Sequence, residues 1–219
     1  MTGWSADEER AQFMLLMRAR GIRDLNVLRA LERAPRALFM PQRYADISGR
    51  DIALPIGCGQ TAPPPSVVAA MIEALALSSE HRVLEIGSGT GYCAALLARL
   101  SAEVLSVERC QSLAVEAATR LESLRLTNAR IAWADGLRVP SEAGPFDRIL
   151  VHGLIGQIPE ALEALLADNG VLVAARAAPD GLREQRIIRL TRGEDGWHGA
   201  DSGPARSFAA LASGLTRSL

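Results

Sequence analysis

The sequence predicts an α/β protein: a mostly parallel sheet covered by helices on both faces, preceded by a helical addition. Three observations carry this reading. From residue 66 onward, short apolar runs suited to buried strands alternate with stretches of helical period, the order that builds parallel sheets. The first of these runs ends in Gly87, Gly89 and Gly91 and passes directly into a helical stretch, as at the first strand-to-helix turn of a doubly wound sheet. Finally, 219 residues of which 48% are apolar can bury one substantial core and hardly two.

Between Ala6 and about Met40, Phe13, Leu16, Met17, Leu25, Val27, Leu28 and Leu31 recur at helical spacings on either side of Gly21. Two short amphipathic helices are expected there. Residues 41–65 hold Pro55, Gly57, Gly59 and the run Pro63-Pro64-Pro65. Proline lacks the amide donor that regular elements need, so this stretch should be an irregular connection, long enough to be functional. A helix follows, carrying Val67, Val68, Met71, Ile72 and Leu75. Strands are predicted at 82–86, 103–107, 129–133, 148–151 and 170–174, and helices near 92–100, 111–124 and 160–166. Residues 186–191 alternate as a strand does, whereas 192–219 are rich in Gly, Ser and Ala with weak periodicity. One domain is expected over 1–219: a helical and loop addition (1–65), a Rossmann-like core (66–191) and a C-terminal tail (192–219).

Charge and cysteine usage narrow the function classes. The formal net charge is −1, with Lys and Arg scattered among Asp and Glu, so the basic footprint of a phosphate-backbone binder is missing and nucleic acid is not an expected partner. Cys58, Cys93 and Cys110 are far apart in sequence, lack metal-ligand spacing and cannot all pair with one another. That usage suits a reducing compartment, no metal is expected, and Cys58 and Cys93, close to the glycine-rich regions, are assigned no chemistry. Asp7, Glu8, Glu9 and Arg10 precede the first apolar stretch, unlike a secretory signal, and no apolar run reaches membrane length. A cytoplasmic protein without a membrane partner is the expectation.

The strongest local signal is Val83-Leu84-Glu85-Ile86-Gly87-Ser88-Gly89-Thr90-Gly91. Glycines at the end of a first strand let backbone approach a ligand beyond the strand ends. Glu108, with Arg109 beside it, follows the second strand, where a carboxylate can accept hydrogen bonds from both ribose hydroxyls of an adenosine. Asp135 and Gly136 follow the third strand, where a short acceptor can meet an adenine amino group and glycine leaves room for the ring. Gly87, Gly89 and Gly91 are spaced G-x-G-x-G, not the G-x-G-x-x-G suited to a pyrophosphate. Glu85 would repel a pyrophosphate but could receive the ammonium end of a methionine, or order the loop. Together Glu85, Gly87, Ser88, Gly89, Gly91, Glu108, Arg109, Asp135 and Gly136 are read as a site for S-adenosyl-L-methionine.

Further segments extend the pattern: Val27-Leu28-Arg29-Ala30, then Ala34-Pro35-Arg36-Ala37-Leu38-Phe39-Met40-Pro41, Leu54-Pro55-Ile56-Gly57-Cys58-Gly59-Gln60-Thr61, Gly144-Pro145-Phe146-Asp147 and Ile158-Pro159. In this order the chain resembles the protein-L-isoaspartate O-methyltransferase family over roughly residues 21–174. The resemblance implies a seven-stranded methyltransferase sheet with an N-terminal helical addition. It implies, as reaction, methylation of the free carboxylate of isoaspartyl residues in damaged proteins or peptides, which are then the expected partners. By the same resemblance Gln60, Thr61, Ser66 and His152 are candidates for binding substrate, and Thr61 and Pro63 stand in the catalytic loop.

Three features differ from that family's pattern. Pro63 occupies the position of an active-site serine, so a hydroxyl must come from Thr61 or Ser66, or be missing. Ser66 can equally be a helix N-cap. His152-Gly153-Leu154 follows the fourth strand where a small residue and alanines are usual, and His152 can contact substrate, exchange protons or simply fill space. An aromatic-Val-Pro-Leu ending is not found after Trp197. His81 and His198 read as surface residues, the latter in a polar loop, and Trp133 as a border of the adenine or a core residue. Alternatives to the repair reaction are a divergent methyltransferase of the same family with another peptide or small-molecule acceptor, and a binding module that recognises S-adenosylmethionine or isoaspartate without turnover.

Overall fold

The computed structural model describes residues 5–177, 184–205 and 208–217; the remaining positions of the predicted tail, 206–207 and 218–219, lie outside them. The two expected N-terminal helices are α1 (Ala6–Ala19) and α2 (Leu25–Arg33). Ser5 and Glu8 form a reciprocal capping box on α1, and Asp24 caps α2 by accepting the Asn26 and Val27 amides, satisfying donors that a helix start leaves free. α2 buries Val27, Leu28, Ala30 and Leu31 on one face. The irregular stretch that follows contains two 3₁₀ turns, Arg36–Phe39 and Gln42–Ile47, and a two-residue antiparallel hairpin, β1 (Leu54–Pro55) with β2 (Thr61–Ala62). α3 (Pro65–Leu75) starts on a proline, whose missing amide is no loss at a helix start. Its N-cap is therefore Pro64, and Ser66 is not the cap.

The main sheet has seven strands: β3 (Arg82–Ile86), β4 (Glu103–Glu108), β5 (Ala129–Trp133), β6 (Phe146–Leu154), β7 (Leu166–Ala177), β8 (Gln185–Gly193) and β9 (Gly196–Ala205), in spatial order β5-β4-β3-β6-β7-β8-β9. The first five are parallel to their neighbours, and β8 and β9 return antiparallel. Between β3 and β4 lies α4 (Tyr92–Leu97), between β4 and β5 lies α5 (Gln111–Ser123), and α6 (Glu160–Glu163) precedes β7. Strand alternation separates two cores. Val83, Leu150 and Val173 face the N-terminal helices and α3, whereas Leu84, Ile149 and Leu172 face Leu162 and Leu165. Because β4 and β5 lie on one side of β3 and β6 on the other, the loops diverge at the carboxyl ends of β3 and β6, leaving a crevice there.

Several boundaries differ from the sequence expectation. β6 and β7 are longer, because Phe146 already pairs with Leu166 and Leu154 with Ala175 at the two ends of the ladder. For the same reason α6 is a single turn rather than a helix to 166. The tail expected over 192–219 is in part β9, which holds His198 in a strand rather than a loop. Trp133 is 37% exposed at the sheet edge and donates its indole N–H to the Arg109 carbonyl at 3.0 Å, so it is not a core residue. No helix among the described residues is long and apolar enough to cross a membrane.

Candidate active site

At the end of β3 the chain turns through Gly87, Gly89 and Gly91 with φ of 93°, 54° and 85°, a region that side chains with a Cβ rarely adopt. The Gly87 and Ser88 amides both donate to the Val107 carbonyl, at 2.8 and 3.3 Å, which pins the loop onto β4. A Cβ on Gly91 would meet Ala117 of α5 at 3.1 Å, so this glycine serves the packing of α4 on α5. Glu108, the last residue of β4, is buried. Its Oε2 accepts the Gly89 amide at 2.9 Å and its Oε1 the Cys110 amide at 2.8 Å. Each carboxylate oxygen retains a second lone pair.

These groups open onto a cavity of about 310 Å³, near the lower end of the range for small-molecule sites. Of the predicted residues, Gln60, Thr61, Pro63, Gly87, Ser88, Gly89, Glu108, Arg109, Gly136 and His152 line it, and Ser66, Glu85, Gly91 and Asp135 do not. Ser66 points its amide, not its hydroxyl, into a bond: it donates to Asp51 Oδ1 at 3.0 Å. Glu85 is fully buried behind the wall, where it accepts the Ser106 hydroxyl and lies 3.0 Å from His152 Nε2. The other ring nitrogen of His152, Nδ1, is buried without a partner among the described residues. Cys93 Sγ comes within 4.8 Å of donors on Glu85 and His152. Burial, and then Glu85, push its thiol well above the ordinary range, which disfavours the thiolate that a metal would need.

Asp135 caps a 3₁₀ turn (Gly136–Arg138) by accepting the Leu137 amide at 2.9 Å, and its other oxygen accepts the Gly214 amide at 2.7 Å. Arg109 Nε donates to the Gly214 carbonyl at 2.8 Å, so both predicted residues grip the tail. A Cβ at Gly136 would collide with the Ile86 side chain. The tail crosses the carboxyl ends of the strands: the Leu154 amide donates to the Ala209 carbonyl at 2.8 Å, Leu211 donates back to Leu154 at 3.1 Å, and Thr216 donates to Arg109 at 2.9 Å. Phe208, Ala210 and Leu211 thereby form part of the cavity wall, with the Phe208 ring 6.4 Å from that of His152.

Two further features escaped the sequence reading. The buried Arg36 guanidinium donates to the carbonyls of Ser48, Ile52, Ala62 and Pro63 at 3.3, 3.1, 3.4 and 2.8 Å, and so fixes the path of the loop that carries Thr61 and Pro63. Burial lowers its pKa from the usual arginine range. The second is a disulfide joining Cys58 to Cys110, 52 residues apart. It gives Cys58 a partner where no chemistry was expected of it and leaves Cys93 free: separation in sequence did not reveal that the β1–β2 hairpin is folded against the start of α5.

Comparison with known proteins decides the family. The family model for protein-L-isoaspartate(D-aspartate) O-methyltransferase matches residues 8–213. The chain belongs to the protein-L-isoaspartate(D-aspartate) O-methyltransferase family. A protein-L-isoaspartate O-methyltransferase of Rhodopseudomonas palustris is 47% identical over 190 residues, 86% of each chain, and one of Azorhizobium caulinodans is 47% identical over 178 residues, 81% of this chain and 82% of that one. In fold, the chain is similar to a protein-L-isoaspartate O-methyltransferase structure from Plasmodium falciparum in complex with S-adenosyl-L-homocysteine, with a TM-score of 0.79 at 23% identity, covering 93% of this chain and 98% of that one. A second protein-L-isoaspartate O-methyltransferase structure gives a TM-score of 0.78 at 25% identity, covering 94% of this chain and 67% of the other.

Proposed function

We propose that the protein transfers the methyl group of S-adenosyl-L-methionine to the free carboxylate of L-isoaspartyl residues in damaged proteins or peptides, acting in the cytoplasm without a nucleic-acid or membrane partner. The observation that carries this is the match to the isoaspartyl methyltransferase family over residues 8–213. The residues present fit the cofactor. A glycine loop that leaves its ligand side open meets the end of β4, where Glu108 offers acceptors suited to a diol and hostile to phosphates. Glu108, Gly87 to Gly89 and Gly136 would hold it, with Arg109 and Asp135 closing the tail over the site. Glu85 acts from behind the wall by fixing His152 and Ser106.

When bound, S-adenosylmethionine supplies a methyl group already activated on a sulfonium. The chain's own work is then positioning. An isoaspartyl carboxyl with an ordinary pKa of about 4 is ionised at neutral pH, so no general base is needed. Holding nucleophile and methyl group in line, with water excluded, is an orientation effect of up to roughly 7 to 11 kcal/mol in ideal cases. The β1–β2 hairpin presents Thr61 on the cavity, Gln60 stiffens the turn by donating to the Cys58 carbonyl at 3.0 Å, and His152 lines the same cavity. Pro63, standing where the family has serine, favours a second reading in which the acceptor is another peptide or a small molecule. Labelled S-adenosylmethionine with an isoaspartyl peptide and its aspartyl twin separates the two. Base-labile label on the isoaspartyl peptide alone is expected, and none on either, with the cofactor bound, would defeat the repair reading.

A further inference from the structure

We propose that Cys58 and Cys110 are a redox modification site whose disulfide latches the substrate hairpin onto the cofactor wall and slows cofactor exchange; this rests on the S-adenosylmethionine reading above. Cys58 sits at the tip of the β1–β2 hairpin, in the left-handed region at φ 56°. Cys110 is the N-cap residue of α5, two positions after Glu108. Their Cα atoms are 6.7 Å apart, within the span that a disulfide bridges. Both line the cavity, and Ser112 Oγ lies 3.4 and 3.3 Å from the two sulfurs.

The hairpin tip is seated on the wall by packing, with Ile56 and Cys58 buried in the main core. Among the described residues its backbone amides and the Gln60 side chain bond within the hairpin: Ile56 to Gln60, Gln60 to Gly57, and the Gln60 side chain to Cys58. Across to α5, Cys58 meets Ser112 and Gly57 packs beside Leu113. The disulfide is thus the one covalent tie between the loop that presents Thr61 and the wall that presents Glu108. With the bond closed, a ligand lying between them must pass a fixed rim; with it open, the rim is held by the packing of Ile56, Gly57 and Cys58 alone and can yield. Cys93, the free cysteine, sits on α4 with Glu85 and His152 as its neighbours.

The chemistry balances by thiol–disulfide exchange with a glutathione-type disulfide. One protein thiolate attacks it and releases one glutathione thiolate; the second protein thiolate then displaces the other glutathione and forms the S–S bond. Two protein thiols lose two protons and two electrons in all, and oxidised glutathione becomes two reduced molecules. In a reducing compartment such a bond is transient and reports the local redox poise.

The test equilibrates the full chain with reduced or oxidised glutathione, counts free thiols by alkylation and mass spectrometry, and follows S-adenosylhomocysteine release by stopped-flow displacement. One alkylated thiol instead of three in the oxidised sample, and release at least about fivefold slower, are expected. Cys58→Ser and Cys110→Ser should each release ligand at one rate under both conditions. Three reactive thiols after oxidation, or equal release rates in the two states of the parent chain, would overturn the latch alone. No ligand binding in either state would overturn the cofactor reading and the latch with it.

Discussion

Glu108 shows how one side chain serves two purposes. It closes the glycine loop through Gly89 and orders the start of α5 through Cys110, and it has lone pairs left for a ligand diol. Glu108→Ala is expected to weaken S-adenosylhomocysteine binding at least several-fold by calorimetry, because a paired charge-assisted contact is worth on the order of 1 to 3 kcal/mol. Unchanged affinity would remove Glu108 from the cofactor site. Pro63 makes the opposite case, a residue conspicuous for what it lacks. Its carbonyl is held by Arg36, a bond that serine would keep, so Pro63→Ser should give equal or higher turnover of an isoaspartyl peptide. A clear loss in kcat/KM would mean that the loop depends on the fixed proline backbone. Both residues were visible in the sequence, because each stands next to a motif whose spacing defines its place. Cys58 and Cys110 were not, since nothing in either neighbourhood reports that a hairpin and a helix start meet in space.

At the scale of elements, the sequence was informative wherever burial imposes a pattern. β3, β4 and β5 are buried parallel strands or their neighbours, and their predicted limits agree with the structure to within a residue. β9 escaped notice because it is an edge strand, largely exposed, with Gly196, Gly199, Gly203 and Pro204 in place of alternating apolar residues. The segment of residues 48–63 was legible as irregular, but what shapes it was not: Arg36 acts on backbone carbonyls, which every sequence has. Arg36→Met should leave those carbonyls unmet and loosen the whole connection. The expectation is a loss of several kcal/mol in urea unfolding, with raised hydrogen exchange confined at first to 48–63. Exchange unchanged in that segment would show that the hairpin holds itself.

For the molecule as a whole, two buried acids set an alkaline limit. Burial raises the Tyr92 phenol above its ordinary range, and burial together with Glu85 does the same to the Cys93 thiol. Both stay neutral in the fold while the unfolded chain ionises them near their usual values, about 8.5 for the thiol and 10 for the phenol. Stability from this source is complete below pH 8.5 and is lost as pH rises toward the folded-state values. The Tyr92 hydroxyl is also buried without a hydrogen-bond partner among the described residues. Tyr92→Phe is therefore expected to keep or improve stability at pH 7.5, by up to about 1 kcal/mol, and to flatten the decline above pH 10 in urea midpoints. A loss of stability at pH 7.5 would mean that the hydroxyl is satisfied in solution.

The crossing of the strand ends by residues 208–217 has a consequence in time. Arg109 waits for Gly214, and Leu154 for Ala209 and Leu211, so each half of the wall is made long before its partner. Chains are synthesised from the amino end and can fold as they emerge. The strands that define the crevice can assemble on a growing chain, but the crevice is roofed only after residue 216 has left the ribosome. Until then the nascent molecule is a sheet with an open groove, unable to enclose either the methyl donor or a neighbouring damaged peptide.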